Sequence, residues 1–429
     1  MLFTRLPDKK YLLGIDMGET GCQISCLNTR RLSADMDPVT FSHVPGGEAF
    51  EFPYAAADGW REETEKGSGP DRSRPVSLPS EEEEPAVLAT ENFLRYCFHC
   101  LRRELLPEEI EAVTFTAEQM DERTSGLIER AVGRILPDLD QVRFEDHVHS
   151  FYHYILMQDE EQRRESVMLV DGSGSEKIRI VTLSFNKKTK PIVCIPEETE
   201  MSLSEYAEGE NAQGEKAEED GDKPSGDGNG QNPDAALSQI VEPLIRSRKY
   251  SASYLTGDAL KGGWMKRSAD LICKGRRAFQ GDNLFSKGAA YGAMIAGGLA
   301  SRANRYFYLG KDALRCGIGI RCTRKLRDVI CPLLDAGTDW YDARAAIDVI
   351  VEEGNEITLV QTSLDRGSSR EITVLLENLP ERPPRTTRLR ITLSMSAADR
   401  MLLEAEDLGF GEIFPSSGMK WEQEIMINV

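Results

Sequence analysis

The sequence predicts an α/β protein with two lobes and a C-terminal β-rich domain, in a chain of 429 residues. Two apolar segments end in a turn that carries Asp and Gly, and each continues into a second apolar strand. Segments with helical spacing alternate with strands through the first three hundred residues. From about residue 325 short alternating strands replace the helices. A chain of this length exceeds one ordinary core, so two or three domains are expected.

Composition excludes several classes of function. The chain has 72 acidic and 52 basic residues, a net charge of -20, which disfavours binding along a nucleic-acid backbone. No run reaches the roughly 20 apolar residues that span a bilayer, and the N-terminus does not resemble a signal peptide. Nine cysteines are scattered rather than arranged as a disulfide framework. We therefore expect a cytoplasmic protein with no membrane and no nucleic-acid partner.

The first hairpin candidate is residues 12–25, LLGIDMGETGCQIS. Asp16 ends an apolar strand, and three glycines, Gly14, Gly18 and Gly21, lie within the eight residues around it. Glycines let backbone N–H groups approach an anion, and a carboxylate there reaches a metal ion or its water. Turn preference alone explains one such hairpin equally well.

Two further segments extend the pattern. Residues 167–175, VMLVDGSGS, form a second strand ending at Asp171, with another apolar strand after it. Residues 254–264, YLTGDALKGGW, form a strand that stops at Gly257 before a helix. Two hairpins of this kind could hold a polyphosphate between two lobes, with a base and ribose against bare backbone at the third segment.

The remaining elements follow from periodicity and composition. Residues 61–86 are a polar loop excursion, and 197–235 are an acidic segment with almost no large apolar residue, which predicts a disordered insertion. Asp121 is the expected N-cap of a helix to about Ile135. Further helices are expected at 87–106, 144–158, 235–247, 264–275 and 283–298. The domains are therefore 1–185 for the first lobe and the start of the second, 236–324 for the rest of the second lobe, and 325–429 for the β-rich domain.

These motifs, in this order, resemble the superfamily of actin, sugar kinases and the seventy-kilodalton heat-shock chaperones, closest to the chaperones and in a bacterial branch. GIDMGET is similar to the family's first phosphate hairpin, and SKGAAYGAMI at 286–295 is similar to the chaperones' last hinge helix. Gly288, Gly292 and Ala296, four residues apart, leave a groove for a crossing helix, for which DHVHSFYHYILM at 146–157 is the candidate.

The resemblance implies two ribonuclease-H-like lobes around a cleft that binds ATP or ADP with Mg²⁺. By this resemblance Asp16 and Asp171 act through metal-bound water, and Asp146, or Glu145 beside it, lies where the chaperones have their general base. The catalytic set is thus Asp16, Asp146 and Asp171. The implied nucleotide-binding residues are Gly18, Glu19, Thr20, Gly21, Gly172, Ser173, Gly174, Gly257 and Asp258.

Two hypotheses about function remain open. One is a chaperone-like, slow ATPase in which lobe closure changes the affinity of the β-rich domain for a protein client. The other is a degenerate nucleotide-sensing or scaffold protein that does not hydrolyse. It is favoured because Ser173 and Ser175 replace the further glycines and the Thr of the family's second hairpin, and because the chaperones' phosphate-contacting Lys has no secure match. A sugar or acetate kinase lacks its catalytic Asp motif here.

Three lesser signals each have two interpretations. His147, His149 and His153 suggest a metal site, but a third or fourth ligand is missing, so packing is the preferred interpretation. Cys97 and Cys100 have CxxC spacing, yet Cys97 lies on an apolar stripe, which indicates core cysteines. The alternating strands within 345–395 could pair with a client peptide at an edge, although packing is the preferred use.

Overall fold

A computed structural model describes residues 9–31, 36–43, 50–57, 84–139, 141–174, 177–202, 232–324, 327–364 and 368–427. The chain is a mixed α/β protein that divides into two compact units. One unit comprises residues 1–184 and 197–305, and the other comprises 185–196 and 306–429.

The first lobe of the larger unit is built on one mixed sheet. Strands β2 and β1 form the predicted antiparallel hairpin, and β5 and β6 extend it in parallel, giving the order β3-β2-β1-β5-β6 with β4 beside β2. A buried cluster under helices α2 and α3 forms the core of this lobe. The elements are β1 (Tyr11–Met17), β2 (Gly21–Asn28), β3 (Val39–Thr40), β4 (Glu51–Pro53), α1 (Tyr54–Ala57), α2 (Glu84–Leu101), β5 (Ile110–Ala117), α3 (Glu122–Ile135) and β6 (Val142–Asp146).

The second lobe repeats this topology. Its strands are ordered β9-β8-β7-β10-β11, with β7 and β8 antiparallel and β10 and β11 parallel to β7. Both sheets thus have an antiparallel hairpin followed by two parallel strands. The elements are α4 (His147–Met157), β7 (Ser166–Asp171), β8 (Lys177–Asn186), β9 (Ile192–Ser202), α5 (Pro233–Ser247), β10 (Tyr250–Thr256), α6 (Arg267–Cys273), β11 (Arg277–Gln280) and α7 (Leu284–Ala296).

Helices α4 and α7 cross as the small residues predicted. A Cβ on Gly288 would lie 2.0 Å from the Ser150 carbonyl oxygen, so only glycine permits this approach. Gly14 likewise permits close contact between β1 and α7, because a Cβ there would lie 2.1 Å from the Ser286 carbonyl oxygen. Ala296 is exposed, so the close crossing is confined to Gly288 and Gly292.

The smaller unit contains two four-stranded antiparallel sheets around one core. Their orders are β14-β13-β16-β17 and β15-β18-β19-β20, while β12 pairs with the start of β9. The elements are β12 (Tyr306–Tyr308), β13 (Cys316–Arg324), β14 (Arg327–Leu334), β15 (Arg344–Val351), β16 (Glu356–Ser363), β17 (Ser369–Leu375), β18 (Thr387–Ala397), β19 (Arg400–Asp407) and β20 (Lys420–Met426).

Several predicted bounds differ from those observed. The segment 197–202 belongs to β9, and 233–235 begin α5 after the Asn232 N-cap, because alternating or capping residues precede and follow the acidic stretch. Residues 203–231 lie outside the described residues, as do 61–83 of the polar excursion, whereas 84–86 are already helical. The strands of the β-rich region begin at Cys316, since basic residues in β13 masked its alternation. Within the described ranges, no helix has both the length and the apolar content needed to cross a membrane.

Candidate functional site

The two hairpins face one another across a cavity of about 210 Å³ within the larger unit. The end of β1 and the end of β7 both lie at this cavity, because each hairpin turns immediately after that strand. Residues of the first hairpin, the second hairpin, the end of β5 and the start of α4 line it: Met17, Gly18, Glu19, Ala117, Glu118, Gln119, His147, Asp171, Ser173, Gly174, Lys177 and Arg179.

Asp16 is bound by a histidine rather than standing free. It is buried at the end of β1, and its Oδ1 lies 2.7 Å from Nε2 of His147. The imidazole is fixed by its position as the first residue of α4 and by stacking on Phe285, with ring centroids 3.9 Å apart. Since an ionised carboxylate only accepts, His147 donates from Nε2.

Asp171 is paired with an arginine. Arg179 lies directly opposite it in the β7–β8 register, and its Nη2 donates to Asp171 Oδ2 over 2.8 Å and to His147 Nδ1 over 3.4 Å. Burial opposes the charged guanidinium, yet Asp171 and more distant carboxylates raise the pKa of Arg179. Asp16, His147, Arg179 and Asp171 thus form one buried chain of polar contacts that joins the two hairpins.

Three of the implied backbone donors already have partners in the protein. The Gly18 N–H donates to the Gly21 carbonyl and the Gly172 N–H to the Thr256 carbonyl, each over 2.8 Å. The Ser173 N–H donates to Asp171 Oδ1 over 3.0 Å. The hydroxyl of Thr20 donates to Glu51. The nucleotide-binding roles of these residues remain predictions.

The third segment packs on the second hairpin. Gly257 has φ +96°, and a Cβ there would lie 2.1 Å from the Gly172 carbonyl carbon, which explains the glycine by close backbone approach. Asp258 is exposed and forms an ion pair of 2.6 Å with Lys261. A role for either residue beside a ribose stays a prediction.

Asp146 and Glu145 have distinct places at the β6–α4 junction. Asp146 is the N-cap of α4, and its Oδ1 accepts from the His149 N–H over 2.7 Å, which is a structural role. Glu145 is buried beside α4, with Oε1 accepting from the Ser150 hydroxyl over 2.5 Å. Among the residues that begin α4, it is His147 that lines the cavity.

Sequence reasoning missed the basic residues of the cavity, which are His147, Lys177 and Arg179. The sequence does carry a signal for Arg179, because it is the one charged residue in the apolar segment 178–183. In the observed β7–β8 register it lies opposite Asp171. His147 was grouped with the other two histidines, and nothing in the sequence pairs it with Asp16. Lys177 is half exposed at the rim and pairs with Glu200 over 3.1 Å.

The carboxylates do not fit a Mg²⁺ site as they stand. Mg²⁺ binds through carboxylate oxygens and retained water. Here Asp16 Oδ1 accepts from His147, and Asp171 accepts from Arg179 at Oδ2 and from the Ser173 N–H at Oδ1, so a bound cation would compete with the Arg179 charge for Asp171. The groups of the lining that could bind an anion are Arg179, whose Nε is buried with no hydrogen-bond partner, and Lys177 at the rim, and they stand beside the carboxylates of Glu19 and Glu118.

The CxxC pair belongs to the core of the first lobe, as predicted. Cys97 is fully buried with its Sγ 3.8 Å from Cys22 Sγ, and both thiols are free. Burial, with Cys97 nearby, raises the pKa of Cys22 well above its usual range. These thiols are therefore inert packing groups.

Comparisons with known proteins give limited matches. No curated protein matches the sequence. Among solved structures, the activator of the 2-hydroxyisocaproyl-CoA dehydratase from Clostridium difficile with bound ADPNP is 9% identical, over 67% of this chain and 96% of that chain, at a TM-score of 0.33. The (R)-2-hydroxyglutaryl-CoA dehydratase component A of Acidaminococcus fermentans is 10% identical, over 67% and 97%, at a TM-score of 0.34. Likenesses this loose say nothing about what this chain binds.

Family models cover most of the chain. A model for a domain of unknown function, DUF8552, matches residues 313–427, which are the β-rich part. The C-terminal model of the family of unknown function DUF5716 matches residues 73–311, from within the polar excursion to beyond α7. Because that match spans more than half of the chain, the protein belongs to the DUF5716 family.

Proposed function

We propose that the chain binds an adenine nucleotide between its two hairpins and does not hydrolyse it at an appreciable rate. Of the two hypotheses from the sequence, this is the nucleotide-sensing or scaffold protein of the actin-like ATPase fold. The repeated sheet topology supports the fold, and the facing hairpins support the position of the phosphates.

The single observation that carries the proposal is the buried Asp171–Arg179 pair. In a Mg²⁺-dependent ATPase of this fold the second hairpin's carboxylate has to be available to the metal's water shell. Here a guanidinium already occupies it, and His147 occupies Asp16 in the same way. Both carboxylates are thus already paired within the protein, which disfavours metal-dependent hydrolysis, while Arg179 and Lys177 remain suited to phosphate.

Cavity size agrees with a phosphate subsite. At about 210 Å³ it is smaller than the roughly 300–1,000 Å³ of pockets that enclose a drug-sized ligand. A diphosphate or triphosphate would contact Arg179 and Lys177 by charge-assisted hydrogen bonds, and the base would lie nearer Gly257. Affinity comes mainly from the phosphates, so ATP and ADP should bind better than adenosine.

The chaperone-like alternative needs a client as well as hydrolysis. Strand β15 pairs with β18 alone in its sheet order, so among the described residues it forms an edge to which a peptide could add. However, Ile347, Val349 and Val351 pack against the core of that unit, which favours the packing interpretation. A client at this edge is the second candidate only.

Isothermal titration calorimetry of the full chain with ATP and ADP, with and without Mg²⁺, tests the proposal. We expect binding that hardly depends on Mg²⁺, and phosphate release no faster than in buffer. Lys177→Met should weaken binding, because it removes a rim cation without disturbing the core. Arg246→Met, which removes an exposed arginine on α5, is the matched control and should leave binding unchanged.

Two results would overturn the proposal. Absence of ATP and ADP binding to folded protein would refute the nucleotide site. Mg²⁺-dependent phosphate release that Asp16→Asn abolishes, with the fold retained by circular dichroism, would restore the ATPase hypothesis.

A further inference from the structure

A second polar cluster lies at the β6–α4 junction, outside the chain of contacts that joins the hairpins. It consists of Glu145 at the end of β6 and of His149 and His153, one turn apart on α4. One ligand atom from each lies within 4.8 Å of the other two. Glu145 supplies the third ligand that the histidine pattern in the sequence lacks. We propose that Glu145, His149 and His153 bind a divalent transition-metal ion of the Zn²⁺ type.

The contact between Glu145 and His153 is close but is not a satisfied hydrogen bond. Glu145 Oε2 and His153 Nδ1 are 3.0 Å apart, yet Nδ1 is buried and has no hydrogen-bond partner of acceptable geometry. A buried polar atom without a partner costs free energy, so it calls for an explanation. An ion between the two atoms supplies one, since each would direct a lone pair at the metal.

The neighbouring groups orient the carboxylate and exclude other side chains. The Ser150 hydroxyl donates to Glu145 Oε1, so Oε2 remains for a ligand, as in sites whose outer groups fix the ligand's orientation. Position 292 on α7 is glycine, and a Cβ there would lie 2.7 Å from His153 Nδ1 and 2.9 Å from Glu145 Oε2. A side chain at this position would therefore clash with both ligand atoms.

The donor set selects the class of metal. Two imidazoles and one carboxylate suit Zn²⁺ and its neighbours, whereas Mg²⁺ and Ca²⁺ prefer oxygen ligands throughout. Zinc bonds of about 2.0–2.2 Å require ligand atoms somewhat over 3 Å apart, and small side-chain rotations bring atoms within 4.8 Å to that spacing. A fourth position is left for water. The rings of His149 and His153 already lie with centroids 4.5 Å apart.

Chelator-treated full-length protein, titrated with Zn²⁺ by calorimetry and with Co²⁺ by visible absorption, tests this. A Cys273→Ser background removes the exposed thiol from competition. We expect one ion per chain, Co²⁺ bands of four-coordinate intensity, and a higher melting temperature with Zn²⁺. His149→Gln should abolish this stoichiometric binding, and Glu145→Asp, which keeps the charge on a shorter side chain, should weaken it at least about tenfold, or 1.4 kcal/mol.

His99→Gln is the matched control, because His99 is an exposed histidine on α2 far along the chain from the cluster. It should leave Zn²⁺ and Co²⁺ binding unchanged. The proposal fails if folded protein binds neither ion, or if binding survives His149→Gln undiminished. In that event Glu145 and His153 form an ion pair and nothing more.

Discussion

Arg179 lies directly opposite Asp171 across the second hairpin, and its Nη2 donates to the Asp171 carboxylate over 2.8 Å. Both side chains are buried, and the same guanidinium reaches His147, which holds Asp16. The carboxylates of Asp16 and Asp171 therefore both have hydrogen-bond partners inside the protein. We therefore expect the Asp171–Arg179 pair to contribute measurably to the free energy of unfolding.

Arg179→Met should lower the free energy of unfolding by about 3–5 kcal/mol, because it leaves a buried carboxylate without its partner. Urea unfolding of the full chain measures this. The double variant Asp171→Asn with Arg179→Met should lose less than the sum of the single variants, since neither charge remains.

Arg277→Met is the control, because Arg277 forms an exposed ion pair with Glu161 and such pairs contribute about 0–1 kcal/mol. An Arg179→Met variant no less stable than this control would contradict the prediction.

Gly288→Ala should destabilise the larger unit and lower its melting temperature. A methyl group at this position would lie 2.0 Å from the Ser150 carbonyl oxygen, so α4 and α7 would have to separate. Differential scanning calorimetry measures the shift. Gly133→Ala in α3 has no atom within 4 Å of its new Cβ, and we expect it to stabilise by about 0.5–1 kcal/mol. Equal effects of the two substitutions would show that the crossing is not tight.

The two hairpins and the crossing of α4 with α7 were predictable because their signals are local. An apolar strand that ends in Asp and Gly indicates a hairpin, and small residues four apart indicate a close helix crossing, each within about ten residues of sequence. The start of β13 was missed, because its buried residues Cys316, Ile318 and Ile320 are separated by glycines and followed by arginines, a composition that also fits a connection between elements. The strand is identified by its pairing with β14 and β16. Local spacing does not report such pairing.

The candidate site also contains residues that the sequence identified and residues that it did not. Asp16 and Asp171 were identified from their turns, but their partners come from elsewhere: His147 is 131 residues from Asp16 along the chain. Glu145 stands four residues before His149, so its place in the histidine cluster was present in the local spacing. The pairing of Asp16 with His147 depends instead on how distant segments fold together, which one sequence does not state.

Asp234 gives a prediction about pH. It accepts from the N–H groups of Lys266, Arg267 and Ser268 and from the Ser268 hydroxyl. Burial works against ionisation, but these donors lower the pKa of Asp234 to about 2. An unfolded aspartate has a pKa near 3.9, so its stabilisation is complete above about pH 4 and is lost as the pH falls towards 2.

Asp234→Asn should therefore be less stable than the unmodified protein at pH 6, and the difference should shrink between about pH 4 and pH 2. Urea midpoints at a series of pH values measure it. Asp258→Asn, at an exposed carboxylate, should change stability little at any of them. A difference for Asp234→Asn that stays constant across this range would contradict the assignment.

Arg382 anchors the end of β19 in the smaller unit. Its two terminal nitrogens donate to both oxygens of the fully buried Asp407, over 2.9 and 2.7 Å, and one also donates to the Pro415 carbonyl. The same carboxylate accepts from the N–H groups of Gly409 and Ser417, so it organises the turn between β19 and β20. Burial opposes the charge of Asp407, but these donors hold its pKa well below its usual range.

Arg382→Met should destabilise this unit by about 3–5 kcal/mol, because the Asp407 carboxylate would remain buried with only neutral donors. Arg382→Lys should recover part of the loss but not all, since an ammonium cannot form two parallel bonds to one carboxylate. Arg390→Met, at an arginine that pairs with Asp348 on the exposed face of the same sheet, is the control and should cost less than about 1 kcal/mol. Urea unfolding of the full chain ranks the three variants, and full recovery with Arg382→Lys would mean that charge alone, without the two-bond geometry, holds the turn.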